Sequence, residues 1–431
     1  MTIINDQFEE ITQKAILVGF NRNERFAEYD IEESMLELAE LVKAAEAEVL
    51  GSIVQNRANV EPATLIGKGK VEEVKLMAES LGANIVIFND ELSGAQLRNL
   101  EGLLEVTVID RTALILDIFA RRASTRVAKL QVELAQLRYR LPRLVGLGQS
   151  LSRTGGGIGT RGPGEQKLEL DRRRINERIT EIRRQLKDQV MVRSTQRDQR
   201  KRSEIPVVAV VGYTNAGKST LMNRLLAQTQ PDAPDRQVFA KNMLFATLDT
   251  FSRRIEMDDN KTFVLTDTVG FVSKLPHSLV EAFKATLEEV SEADLLIHLV
   301  DATNEHYKMQ INVTNNVLGE LGAINKPQII AYNKIDALEN TELLPKGKDV
   351  LHISAMNGDG MDLLIDRINA QIFSDFKRAT FLIPYTDGQV YSHICETATV
   401  LETKYEEEGT WVDVEIKEKD YNKYAQYLVE A

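Results

Sequence analysis

VVAVVGYTNAGKSTLMNRLL, residues 207–226, is the stretch that decides how this chain is built. An apolar, β-branched run ends in G-x-x-x-x-G-K-[ST] and passes directly into an amphipathic helical pattern. Strand, glycine loop and helix in that order make a phosphate cradle. Gly212 and Gly217 let the chain bend so that the amides of Tyr213, Thr214, Asn215 and Ala216 point inward. Lys218 then reaches the β- and γ-phosphates, the Ser219 hydroxyl ligates Mg²⁺, and the helix opening at Lys218–Thr220 adds its positive dipole end.

Four further segments fit the same site in the right order. FVLTDTVG (263–270) is a strand that ends in Asp-x-x-Gly: Asp267 is expected to hold Mg²⁺ through a water, Thr268 and Val269 line the loop, and the Gly270 amide senses a γ-phosphate. FATLD (245–249), comprising Phe245, Ala246, Thr247, Leu248 and Asp249, reads as a loop in which Thr247 offers Mg²⁺ a hydroxyl. IIAYNKID (329–336) ends in Asn333, Lys334, Ile335 and Asp336, and a buried Asp336 carboxylate accepts from guanine N1–H and its exocyclic amine. Adenine lacks that donor pair. ISAMNGDG (353–360) brings Ser354, Ala355 and Met356, with the Ala355 amide meeting the guanine carbonyl. Each motif is weak alone; five in sequence at strand ends specify a GTPase.

The position after Asp-x-x-Gly, where many regulatory GTPases place a water-orienting glutamine, is Phe271. A phenyl ring cannot make that hydrogen bond, so no catalytic base is assigned, intrinsic hydrolysis is expected to be slow, and Lys218, Thr247 and Gly270 act as stabilisers. A partner that reshapes residues 268–278 would complete the site, or a potassium ion held by Asn215 would do so.

The chain has 431 residues, 43% hydrophobic and 27% charged, which suggests several soluble domains. No apolar run approaches the ~20 residues that span a bilayer, and the amino-terminal segment has no secretory pattern, so a cytoplasmic protein is expected. Cys395 stands alone, which excludes an internal disulfide or a cysteine zinc site, and five histidines are scattered without ligand spacing. The net charge of −12 argues against nucleic acid, yet residues 121–202 hold 22 Lys or Arg against 8 Asp or Glu. An acidic body with one basic segment is the asymmetry of an anion-binding appendage. A solvated arginine-rich helix accounts for the same charge.

Periodicity divides the chain into an α/β domain (1–125) with a mainly parallel sheet, a basic helical hairpin (126–190), a polar linker (191–204), an α/β GTPase domain (205–375) with a mixed sheet, and a small α+β domain (376–431). In the first, AILVGF, EVLGSIVQ, TLIGKG, NIVIFND and VTVID read as strands. The hairpin is predicted from two seams: Val127, Leu130, Leu134, Leu137 and Leu141, then Leu168, Ile175, Ile179, Ile182 and Leu186. Between them GGGIGTRGPGEQ (155–166) contains G-x-G-x-x-G, but no strand precedes it and an arginine-rich helix follows, so a dinucleotide turn is rejected. A glycine-dense tip bearing Arg143, Arg153 and Arg161, backed by Arg172, Arg173 and Arg174, suits close approach to phosphates and unpaired bases.

The order and wording of these segments resemble the HflX family of translation-factor-type GTPases. The likeness extends to ATLIGKGKVEEV (63–74), VIFNDELSGAQLRNLE (86–101), VIDRTALILDIFARRA (108–123), KLQVELAQLRYRLPRLVG (129–146) and GTRGPGEQKLELDRRRI (159–175), and covers roughly residues 10–375. It implies a monomeric factor that binds GTP and GDP with Mg²⁺, engages the 50S subunit and 70S ribosome at 23S rRNA, and in some members splits stalled ribosomes during stress. It also allows a second, ATP-directed activity near IGKGK (66–70), where the residues themselves show only a glycine turn before a helix. A regulatory switch with a protein effector, and an ATP-driven RNA remodelling factor, are the competing classes.

Overall fold

The computed structural model describes residues 13–22, 30–144, 163–202, 205–229, 245, 251–257, 261–274 and 289–429, with side chains of the long helix described over 169–189. Arg153, Arg161, most of the glycine tip and residues Ala246, Thr247, Leu248 and Asp249 lie outside these.

The first domain runs β1 (Lys14–Asn21), α1 (Ile31–Ala44), β2 (Glu48–Asn56), α2 (Lys68–Leu81), β3 (Ile85–Phe88), α3 (Gly94–Leu104), β4 (Thr107–Asp110) and α4 (Arg111–Arg122). Its four strands are all parallel, in the order β2-β1-β3-β4. The strands are apolar on both faces, as helices above and below require: Ile16 and Val18 pack to one side, Ala15 and Leu17 to the other. TLIGKG, expected as a strand, is not one. Leu65 takes a left-handed φ of 66° and closes a tight bridge to Glu61, and α2 begins at Lys68. The β-branched run there fills the core through Ile66 without pairing into the sheet.

Helices α5 (Arg126–Arg143) and α6 (Pro163–Arg202) form the expected hairpin. Leu130, Leu134, Ile179 and Ile182 are buried between them, with Leu137, Leu141, Ile175 and Leu186 around the seam. Arg178 ties the two helices with a bidentate pair to Glu133, at 2.7 and 2.8 Å. At 40 residues α6 extends ~60 Å by helical rise, and it continues through the tract expected as a linker as far as Arg202.

The GTPase domain follows: β5 (Val207–Gly212), α7 (Lys218–Thr229), β6 (Phe251–Glu256), β7 (Thr262–Asp267), β8 (Leu295–Asp301), α8 (Tyr307–Glu320), β9 (Gln328–Asn333), β10 (Val350–His352) and α9 (Met361–Ile372). Its six-stranded sheet has the order β10-β9-β8-β5-β7-β6, parallel except for β6 against β7. The last domain, β11 (Phe376–Ile383), α10 (Gly388–Thr397), β12 (Thr399–Glu406), β13 (Gly409–Lys417) and α11 (Glu418–Lys423), is a small antiparallel sheet in the order β11-β13-β12.

One apolar cluster bridges the first domain and the GTPase domain. It runs from Leu17, Leu38 and Phe119 to Val211, Tyr213, Phe245 and Phe271. The Phe119 and Phe245 rings meet edge to face at 4.6 Å. No helix among the described residues is long and apolar enough to cross a membrane.

Candidate nucleotide site

Most of the described motif residues gather at the carboxyl ends of β5, β7, β8, β9 and β10, where an open α/β sheet places its ligand. Gly212 (φ 149°) and Gly217 (φ 97°) occupy backbone conformations that side chains resist. At Gly217 a Cβ would also collide with the Asn333 amide, so the loop and the Asn-Lys-x-Asp turn are fitted to one another. Asn333 completes that fit: its Nδ2 donates to Ala216 O at 2.8 Å and its Oδ1 accepts from Ala355 N at 2.9 Å. Phosphate loop, base-reading turn and Ser354–Ala355–Met356 segment are thus one hydrogen-bonded unit.

Lys218 is buried, and its Nζ donates to Tyr213 O at 2.6 Å and Gly212 O at 3.1 Å. Burial pulls its pKa down to about 8, against the opposing pull of Asp267. Asp267 is buried too, and desolvation pushes its carboxyl up from the usual range despite Lys218 nearby. Ser219 Oγ donates to Asp267 Oδ2 at 2.8 Å, while Asp267 Oδ1 is buried with no hydrogen-bond partner. A hydroxyl and a half-satisfied carboxylate side by side are the oxygen donors a hard divalent cation takes together with phosphate oxygens, so Ser219 and Asp267 fit Mg²⁺. Held there, Mg²⁺ would neutralise charge on the phosphate oxygens. Thr247, the third expected donor, lies outside the described residues. Thr268 does not face this site; its hydroxyl donates to Val210 O at 2.7 Å.

At the base end, Ser354 Oγ donates to Asp336 Oδ1 at 2.5 Å, which steers the carboxylate. Asp336 itself is exposed, where burial was expected, because it sits on a single 3₁₀ turn, Ile335–Ala337, at the rim of the sheet. Lys334 adopts a left-handed φ of 65° and its Nζ is held by Asp301 at 2.6 Å. Met356 is 76% exposed and Asn215 forms the exposed apex of the phosphate loop.

Two expected residues serve other ends. Phe245 is buried against Phe119 of α4, so its ring belongs to the interdomain core. Arg143 does not point outward: its guanidinium bonds Leu92 O at 2.7 Å, Glu91 at 3.0 Å and the buried Asp110 at 3.2 Å, over the Tyr139 ring. Charge counting could not reveal this, because it ignores where a tertiary acceptor stands. Phe271 is buried and its backbone closes on the loop, with Thr214 N donating to Phe271 O at 2.8 Å and Phe271 N to Gly212 O at 3.2 Å. Sequence reasoning missed Asp301 and, from the first domain, Glu37 and Arg111, which reach Tyr213 and Ser273 beside the site.

His298, on β8 one strand from the loop, is buried and carries a pKa lowered to about 4 by burial and, secondarily, by Lys218. An imidazole that ionises at about 4 when folded and about 6.5 when unfolded supports the fold fully above pH 6.5 and less as pH falls. Between pH 7 and pH 5 stability is expected to drop by about 2 kcal/mol on this account. Urea midpoints of the protein and of His298→Gln check it, with the variant losing less over that interval.

Residues 32–120 match the family described as GTP-binding GTPase N-terminal, 122–200 the GTP-binding GTPase middle region, and 207–334 the 50S ribosome-binding GTPase family. A GTPase HflX of Caldanaerobacter subterraneus is 48% identical over 417 residues, covering 96% of this chain and 94% of the relative. That of Lacrimispora saccharolytica is 45% identical over 94% of each chain, and that of Escherichia coli 41% identical over 88% of each. With three family regions in order and relatives matched over most of their length, the chain belongs to the HflX family of GTPases.

Proposed function

We propose that GTP controls the grip of this protein on the large ribosomal subunit, with 23S rRNA as the surface the basic hairpin holds. The carrying observation is the outer face of α6. Arg172, Arg173, Arg174 and Arg183 are exposed there while Ile175, Ile179 and Ile182 turn to α5. Arg173 pairs with Glu177 at 2.9 Å and Arg174 with Asp171 at 3.8 Å, both arginines 77% exposed. Pairs so open to water contribute ~0–1 kcal/mol, and a phosphate replaces the carboxylate at little cost. The family description of residues 207–334 as a 50S ribosome-binding GTPase supports the partner. Within this reading, binding to 70S particles and splitting of stalled ones are the finer task, cytoplasm the place, and Arg153 and Arg161 the tip contacts.

Hydrolysis lacks a side-chain base at Phe271, so the ribosome completes the site, and a potassium ion at Asn215 would add the charge of an arginine finger. GTPase rate measured with 30S, 50S, 70S and no particle is expected to rise at least tenfold with 50S. The same assay in potassium and sodium buffers reads the ion. Replacing Arg172, Arg173 and Arg174 by glutamine should weaken 50S co-sedimentation, reduce its salt slope by about 3 and spare GTP affinity. Equal rates with all particles would remove the proposal.

A further inference from the structure

The carboxyl edge of the first domain's sheet is where an α/β domain takes a ligand, at the point between β1 and β3 where strand order reverses. In this protein the GTPase domain's own switch segment, which follows Gly270, is seated there. Glu37 from α1, Asn89 and Asp90 after β3, and Arg111 after β4 gather around Ser273 and Lys274. Ser273 Oγ donates to Glu37 Oε2 and accepts from Arg111 Nη2 at 3.0 Å. Tyr213 Oη of the phosphate loop donates to Glu37 Oε1 at 2.5 Å and accepts from Ser273 N at 2.6 Å. Arg111, 2% exposed, also pairs with Glu37 and bonds Asn89 Oδ1 at 2.9 Å. Lys274 (φ 53°) reaches Asp90 at 2.7 Å.

This grip sets Gly270 and Phe271 against the phosphate loop. Phe271 O takes the Thr214 amide, and a carbon added at Gly270 would stand 2.7 Å from Thr214 Cγ2 and 2.9 Å from Lys218 Nζ. Gly270 is thus packed directly against Thr214 and the Lys218 ammonium, where a γ-phosphate would have to enter. GDP makes no demand on Gly270.

We propose that Glu37 and Arg111 form a clamp holding Gly270–Lys274 in the closed position, and that GTP but not GDP must pull this segment out of the first domain's crevice. Glu37 and Arg111 are therefore positioning residues for the switch, and the force a γ-phosphate exerts on Gly270 is delivered to the domain that carries the basic hairpin. By reciprocity, whatever draws the first domain away favours GTP. This rests on the chain being GTP-switched and deepens that reading.

The test uses the full chain and nucleotides alone, so its failure leaves ribosome binding untouched. Affinities for GDP and a non-cleavable GTP analogue, each with Mg²⁺, are measured on the protein, Ser273→Ala and Glu37→Gln. Hydrogen bonds to a charged group are lost, so the analogue is expected to bind roughly tenfold or more tightly in each variant, with GDP unchanged. An unchanged ratio, or equal loss of both nucleotides, overturns the clamp. Glu37→Gln leaves Arg111 buried without its counter-charge and is expected to melt lower; Ser273→Ala removes one hydroxyl and retains the fold. On the unaltered protein, hydrogen exchange in residues 31–44 and 89–92 should quicken with the analogue and not with GDP. Identical exchange with both would also overturn it.

Discussion

Asp336→Asn is expected to lose GTP and GDP affinity by at least about a hundredfold and to gain xanthosine nucleotides in their place. The carboxylate offers acceptors only, and Ser354 Oγ, at 2.5 Å from Oδ1, holds one of its oxygens and leaves Oδ2 to accept from a base. Guanine presents two donors side by side. An asparagine keeps one acceptor and turns the other into an amine, which opposes the guanine amine and suits the carbonyl xanthine carries at that place. Two charge-assisted hydrogen bonds at ~1.5–3 kcal/mol each set the size of the loss. Because Asp336 is exposed and outside the Asn333 network, the fold should hold. Competition binding with guanosine and xanthosine triphosphates reads the outcome, and undiminished GTP binding would mean that guanine is read elsewhere.

What made the nucleotide site legible is that each of its parts is local. A strand, a glycine turn and a helix start are written within the eight residues Gly212–Ser219, and the backbone forms them in that order. The hairpin seam was legible for the same reason, since heptad spacing is local even though Leu134 and Ile179 meet across a loop. The clamp was not. Glu37 looks like any of the glutamates in EESMLELAE, and its bond to Ser273 joins positions 236 residues apart. Nothing in the period of α1 distinguishes a carboxylate that faces water from one that meets a second domain. Arg143 misled for the complementary reason. A basic segment counted along the sequence reads as wholly outward, until Asp110, fully buried at the end of β4, claims one of its guanidinium groups. TLIGKG has the composition of a strand, but Leu65 turns back on Glu61 and Ile66 is buried in the core without pairing into the sheet.

Lys218→Met separates what the site needs from what the fold prefers. The methionine keeps the length and apolar stem of the lysine, so the buried volume is filled, but it has no charge for the β- and γ-phosphates. Affinity for GTP and GDP should fall by about a hundred- to a thousandfold, the scale of a lost charge-assisted contact to phosphate in a desolvated site. Stability is expected to move the other way. With a folded pKa of about 8 against 10.5 for the free side chain, the buried ammonium costs the nucleotide-free fold about 3 kcal/mol at neutral pH. Methionine removes that cost, while the carbonyls of Gly212 and Tyr213 lose their donor and return about 1–3 kcal/mol of it. The net is a nucleotide-free protein that melts no lower, and up to a few degrees higher, than the original. The pH dependence identifies the cause. As pH rises from 8 to 10.5 the folded lysine sheds its proton before the unfolded one, the original protein gains stability, and the gap to the variant closes. Melting curves at pH 7 and pH 9.5 on both proteins measure it. A gap that stays constant would assign the difference to packing and leave the charge of Lys218 without a stability cost.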